Sequence, residues 1–258
     1  MADRFDTRFD RPQPLYGEPG GRDLTGAGAG RDAASFDAGL RKHMLSVYNY
    51  MASGVLLTGI VAFALSFGGR ESIAAGIFFG GGILKWVVIF APLIMVMVMG
   101  FRAHRMSTGA MQAFFWGFAA VMGVSMSVIP LIYSGGSIAT TFFATAAAFV
   151  SLSLYGYTTK RDLTAFGTFL IMGVVGLFVL MIANMFIQSG TISLVVSFIG
   201  VLLFAGLTAY DTQKIKQIYY HVQGTDMLGK TAILGALTLY LDFINMFQFL
   251  LSFMGNRE

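Results

Sequence analysis

Cysteine is absent from the 258 residues, which excludes a disulfide framework, a thiolate zinc site and a cysteine nucleophile together. Charge is scarce as well, at 12% of residues against 56% hydrophobic, well below the charged share of an average soluble domain. The few charges fall in short clusters separated by long uncharged runs, and this spacing points to a membrane more strongly than the totals do. No Walker loop, paired metal spacing or nucleophile elbow is present, so nucleotide hydrolysis and conventional hydrolase chemistry have no support. The net charge of +4 is no nucleic-acid footprint, because the lysines and arginines stand at the ends of apolar runs and form no single basic stripe. No cleavable signal peptide is expected, since more than forty polar, glycine-rich residues precede the first apolar run and a signal begins with a short basic stretch.

Residues 1–40 are rich in glycine, aspartate and arginine and carry an Arg-Phe-Asp repeat at Arg4–Asp6 and Arg8–Asp10. Such a polyampholyte is expected as a disordered tail. The remainder, 41–258, reads as an all-α integral membrane domain, a bundle of seven transmembrane helices, with runs at about 44–67, 83–101, 109–133, 137–157, 163–187, 191–213 and 231–254. Each is near the length needed to cross about 30 Å of hydrocarbon at 1.5 Å per residue. Pro92 and Pro130 fall inside the second and third runs, where a membrane helix tolerates a kink, and the glycines, alanines and serines would let neighbouring helices approach closely. Arg41, Lys42, Arg102, Arg105, Lys160, Arg161, Lys214, Lys216 and Lys230 would share one face, leaving Arg70, Lys85 and Arg257 on the other. The positive-inside bias then puts the amino terminus in the cytoplasm and, after seven crossings, the carboxyl terminus outside; a re-entrant last segment would reverse the second statement.

Acidic residues become rare once the apolar runs begin, and most stand in expected loops. Asp242 does not. It occupies the middle of LGALTLYLDFINMFQFLLSF, where an uncompensated carboxylate costs about 2.5–3.5 kcal/mol on insertion scales. Thr231, Gly235, Thr238, Asp242 and Asn245 follow spacings of four, three, four and three and so share one helix face, with Ser252 further along the same line. That face is either a polar seam gluing the last helix to its neighbours or the lining of a pathway, with Thr238 and Asn245 beside the carboxylate. Asp211 closes the sixth run, in LLFAGLTAYDTQKIKQ. It is explained either by a helical ion pair with Lys214 or by convergence with Asp242, because a connection of roughly seventeen residues makes the last two helices neighbours. Two carboxyls meeting away from water would titrate as one coupled unit, able to hold a proton between them. Doubly ionised, they would attract a hard cation such as calcium, with carbonyls and water completing its oxygen shell. Weak, transient binding of that kind suits permeation. His43, His104 and His221 are expected as solvated residues at helix boundaries.

The segments ALTLYLDFINMFQFLL and AYDTQKIK, with the opening LRKHMLSVYNYMASGVLLTGIVAF, resemble the Bax inhibitor-1 (transmembrane Bax-inhibitor-motif) family, in particular its bacterial members. The resemblance runs from about residue 36 to the end. It implies a seven-helix fold with the last helix central, located in the bacterial inner membrane, and a pH-sensitive calcium leak with calcium as permeant ion and no cofactor. It also implies that Asp211 and Asp242 are the proton- and ion-sensing pair. An arginine latch on the first of them falls on Arg102, although Arg105 competes for the role in MGFRAHRMS. The basic carboxyl-terminal tail of many eukaryotic relatives is missing, since the chain ends FMGNRE. Three readings follow: a gated cation pathway with no enzymatic activity; a modulator of membrane protease complexes and stress responses that conducts nothing; and an intramembrane aspartyl protease. Against the last, Leu239, Tyr240 and Leu241 stand where such proteases have Gly-x-Gly before the aspartate.

Overall fold

The computed structural model describes the backbone of residues 24–256 and the side chains of residues 37–256, His104 excepted. The chain divides into two units, Met1–Gly39 and Leu40–Glu258. The helices are α1 (Leu24–Ser66), a short α2 (Ile73–Phe79), α3 (Leu84–Arg102), α4 (Thr108–Met126), a single turn α5 (Ile129–Ile132), α6 (Gly135–Thr158), α7 (Thr164–Ile187), α8 (Gly190–Val222) and α9 (Met227–Met254). Among the described residues seven helical spans are long and apolar enough to cross a membrane: 37–66, 84–102, 108–132, 135–158, 164–187, 190–222 and 227–254. All seven expected runs are therefore found.

Serine starts several of these helices. Ser72, Ser107, Ser134 and Ser189 each accept the backbone N–H three residues on, from Ala75, Ala110, Ser137 and Ile192, satisfying donors that a helix start leaves orphaned. The two prolines behave differently. Pro92 is buried within an uninterrupted α3, whereas Pro130 sits in the first turn of α5 and the third span is broken between Met126 and Ile129. Proline is welcome in a first turn, where its missing N–H costs nothing.

Three boundaries depart from expectation. Residues 24–40, expected as part of the disordered tail, form the amino-terminal stretch of α1, since a helix nucleated in one segment extends at low cost into the next. Residues 1–23 of that tail lie outside the described residues. The sixth span does not stop near 213 but continues to Val222. Ile215 and Tyr219 on this extension are buried, and the Lys216 ammonium donates to the Tyr157 carbonyl at 2.8 Å while lying 5.2 Å from that residue's ring. The connection between the last two spans consequently shrinks to Gln223–Asp226, with Gly224 at φ 75°. Finally, α9 begins at Met227 rather than near residue 231 and runs unbroken for 28 residues, about 42 Å at 1.5 Å per residue.

Packing within the second unit is graded. α9 lies against α4, α6 and α8, and α7 against α8, while α3 meets α4. In α9, 61% of the most apolar stretch is buried, compared with 11% in α7 and 17% in α3, so α9 is the most enclosed of the seven. Phe169, Met172, Val175 and Phe186 of α7 are more than half exposed, an apolar surface that suits lipid and would be a liability in water. The end of α9 is tied to the start of α6: the Ser134 N–H donates to Asn256 O at 3.2 Å, and the Asn256 N–H to Ser137 Oγ at 3.0 Å. Arg41, Lys42, Arg102, Arg105, Lys160, Arg161 and Lys230 all lie at or near ends of the spans rather than in their middles.

Candidate functional site

α8 and α9 are the most extensively packed pair, and small residues permit it. A methyl added at Gly235 of α9 would stand 3.1 Å from Ile215 of α8. Along the same α9 face, Asp242 meets α8 at Asp211, and Ser252 meets it at Ser197, with hydroxyls 3.0 Å apart. The polar face read from the sequence therefore turns toward α8, combining an interhelical seam with a carboxyl pair.

Asp211 and Asp242 are 8% and 4% exposed. Their carboxyls face each other across the α8–α9 contact, near enough to interact directly. An ionised carboxylate only accepts, so two carboxyls placed this way hydrogen-bond only when one of them carries a proton. Asp242 Oδ2 is buried without a hydrogen-bond partner among the described residues. The pair is thus enclosed by protein. Lys214 supplies the principal positive charge acting on Asp211; its ammonium lies 5.7 Å from the Tyr210 ring, without an ion pair to Asp211 among the described contacts. Arg102 and Arg105 are exposed at the far end of α3, and neither makes an ion pair with Asp211 among the described residues. Thr238 and Asn245 are half-buried and return hydrogen bonds to their own helix, at Leu234 O (3.1 Å) and Leu241 O (2.8 Å). The loop acid Asp162 differs from the pair: fully exposed, it accepts from the N–H and hydroxyl of Thr164 at 2.9 and 2.6 Å, which hold its carboxyl below the usual carboxylate range.

Several residues around the pair were invisible to sequence reasoning. A hydroxyl ladder runs beside Asp211 from α1 through α6 to α8: Tyr48 to Ser153 at 2.7 Å, Ser153 to Thr212 at 2.9 Å, Thr212 to the Thr208 carbonyl at 2.7 Å. Each hydroxyl has one proton, and that of Thr212 is committed to Thr208 O, so Ser153 donates to Thr212 and Tyr48 to Ser153. By the same reasoning Tyr240, fully buried two residues from Asp242, donates to Thr58 at 2.6 Å while Thr58 donates to Ala119 O at 2.9 Å. Gln213 anchors the α6–α7 loop through Leu163 N and Arg161 O. His43 corrects the expectation of a solvated boundary residue. It is 5% exposed, packs 5.3 Å from the Tyr219 ring and leaves Nε2 without a partner among the described residues. Its ring is drawn in because α8 extends far enough to place Tyr219 opposite it.

These features define a polytopic α-helical membrane protein built around a buried carboxyl pair. The family model described as "Inhibitor of apoptosis-promoting Bax1" matches residues 40–258, and the chain belongs to that family. It is 45% identical to protein RP147 of Rickettsia prowazekii over 87% of this chain and 93% of the relative. It is also 45% identical to a Caulobacter vibrioides protein over 89% and 95%, and 40% identical to the inner membrane protein YbhL of Escherichia coli over 86% and 94%.

Proposed function

We propose that this chain is a pH-sensitive cation leak of the bacterial inner membrane, with calcium as permeant ion and Asp211 and Asp242 as its proton-sensing gate. The carrying observation is the enclosed carboxyl pair itself, shared between two helices joined by four residues. With a proton between them, the acids bind α8 to α9 and offer a cation no net double charge. Without it, two adjacent carboxylates repel in a poorly hydrated site and favour a divalent ion with water and carbonyls completing its shell. Proton and calcium therefore compete for the same oxygens, so calcium occupancy rises with pH. Among the described residues no third acid or histidine joins the pair, which fits brief occupancy during passage rather than storage. Arg102 serves as a latch on Asp211 in a state where α3 moves inward. The chain catalyses no reaction in this reading. The inner-membrane placement follows YbhL, and the cationic face is assigned to the cytoplasm.

Calcium flux into proteoliposomes tests the proposal. Wild type should show flux that varies with external pH, and Asp242→Asn, neutral at every pH, should lose that variation. A pH response identical in the two proteins would sink the gate. Absence of flux in wild type would instead favour a modulator of membrane protease complexes.

A further inference from the structure

Away from the carboxyl pair, a cavity of about 670 Å³ opens between α7, α8 and α9 in the half of the unit that holds the α7–α8 turn and the end of α9. Asn184, Ser193, Ser197, Asn245, Gln248 and Ser252, drawn from all three helices, line it. Two other cavities in the spans, of about 580 and 520 Å³ beside α1, are lined mainly by methionine, valine, isoleucine and phenylalanine, walls suited to acyl chains. This one is different in chemistry. Asn184 donates to Ser193 at 2.8 Å and Ser197 meets Ser252 at 3.0 Å, while Asn245 gives one amide hydrogen to Leu241 O and keeps the other hydrogen and its oxygen. Gln248 is exposed and has no hydrogen-bond partner among the described residues. An amide with unmade hydrogen bonds is strongly disfavoured in hydrocarbon, so its presence six residues from the end of α9 calls for water.

We propose that this groove is a water-filled vestibule carrying hydrated cations from the sparsely charged face to within one helical turn of Asp242, an inference that rests on the cation pathway proposed above. Its inner limit is Asn245, three residues from Asp242 on α9. Its volume holds roughly twenty waters at about 30 Å³ each. No charged side chain lines it, so it passes ions without retaining them and leaves selection to the acids. Phe204 and Phe249, stacked with centroids 5.8 Å apart, form an apolar part of its wall. Gly200 permits that: a Cβ there would fall 2.5 Å from Cγ of Phe249.

The natural absence of cysteine makes the test direct. Single variants Q248C and N184C, with the lipid-facing F198C as control (Phe198 is 51% exposed), are placed in lipid nanodiscs and treated with a membrane-impermeant trimethylammonium methanethiosulfonate. Only a hydrated thiol ionises and reacts, so Q248C and N184C should be modified at least about tenfold faster than F198C. Equal rates would overturn the vestibule. In proteoliposomes, modification of Q248C should cut calcium flux severalfold; rapid modification with unchanged flux would remove the vestibule from the pathway. Rapid modification in a protein that conducts no calcium would keep the water-filled groove and overturn only the cation reading beneath it.

Discussion

Single residues in this protein separate cleanly into those that titrate and those that brace. Tyr240 braces: its hydroxyl donates to Thr58 in a fully buried setting, and a buried phenol needs such a partner. Tyr240→Phe removes one hydrogen bond but leaves Thr58 still bonded to Ala119 O, so the loss should be about 0.5–1.5 kcal/mol. Thermal unfolding in detergent should show a modestly lowered midpoint, with the pH response of flux retained; loss of the pH response would give Tyr240 a part in the gate. Asp242 was legible in the sequence because a carboxylate amid leucine and phenylalanine is too costly to be incidental. The ladder through Tyr48, Ser153 and Thr212 was not, since its first step joins residues 105 positions apart and each hydroxyl alone is ordinary in a membrane helix. His43 was misread for a related reason. Its partner surface, Tyr219, lies on a stretch whose lysines and glutamine looked like a loop.

At the scale of elements, contact between α6 and α8 sets the height at which Asp211 is held. Gly156 of α6 lies so close to α8 that an added Cβ would stand 2.2 Å from the Ala209 carbonyl oxygen, two residues from Asp211. Backbone cannot yield as a flexible side chain does, so Gly156→Ala should push the two helices apart and destabilise by about 1–3 kcal/mol. A melting curve checks the stability loss, and an unchanged midpoint would show that the helices accommodate the methyl freely. Hydropathy made the seven spans readable because each must cover the same hydrocarbon thickness. It misjudged the end of α8 because Ile215, Lys216 and Tyr219 are fixed by α9, α6 and α1 rather than by lipid. Pro130 was readable as a disturbance, while its outcome, a break and a new turn, depended on packing the sequence does not display.

For the whole molecule, the alternation of seven spans turns local charge into orientation. Nine cations near the ends of the runs favour one face and three the other, and seven complete crossings would carry the two ends of the domain to opposite sides. A carboxyl-terminal alkaline phosphatase fusion should be active in intact cells and a green fluorescent protein fusion dark; the reverse pattern would invert the assignment. The short α8–α9 connection gives the assembly one more property. With its joint at Gly224, the pair behaves as calipers whose arms reach Asp211 and Asp242 after 11 and 15 residues, lengths of about 17 and 23 Å at 1.5 Å per residue. Spreading the calipers by about 10° parts the tips by about 3–4 Å, which replaces a direct bond with room for a bridging water. A displacement scarcely felt at the turn thus suffices to wet the tips.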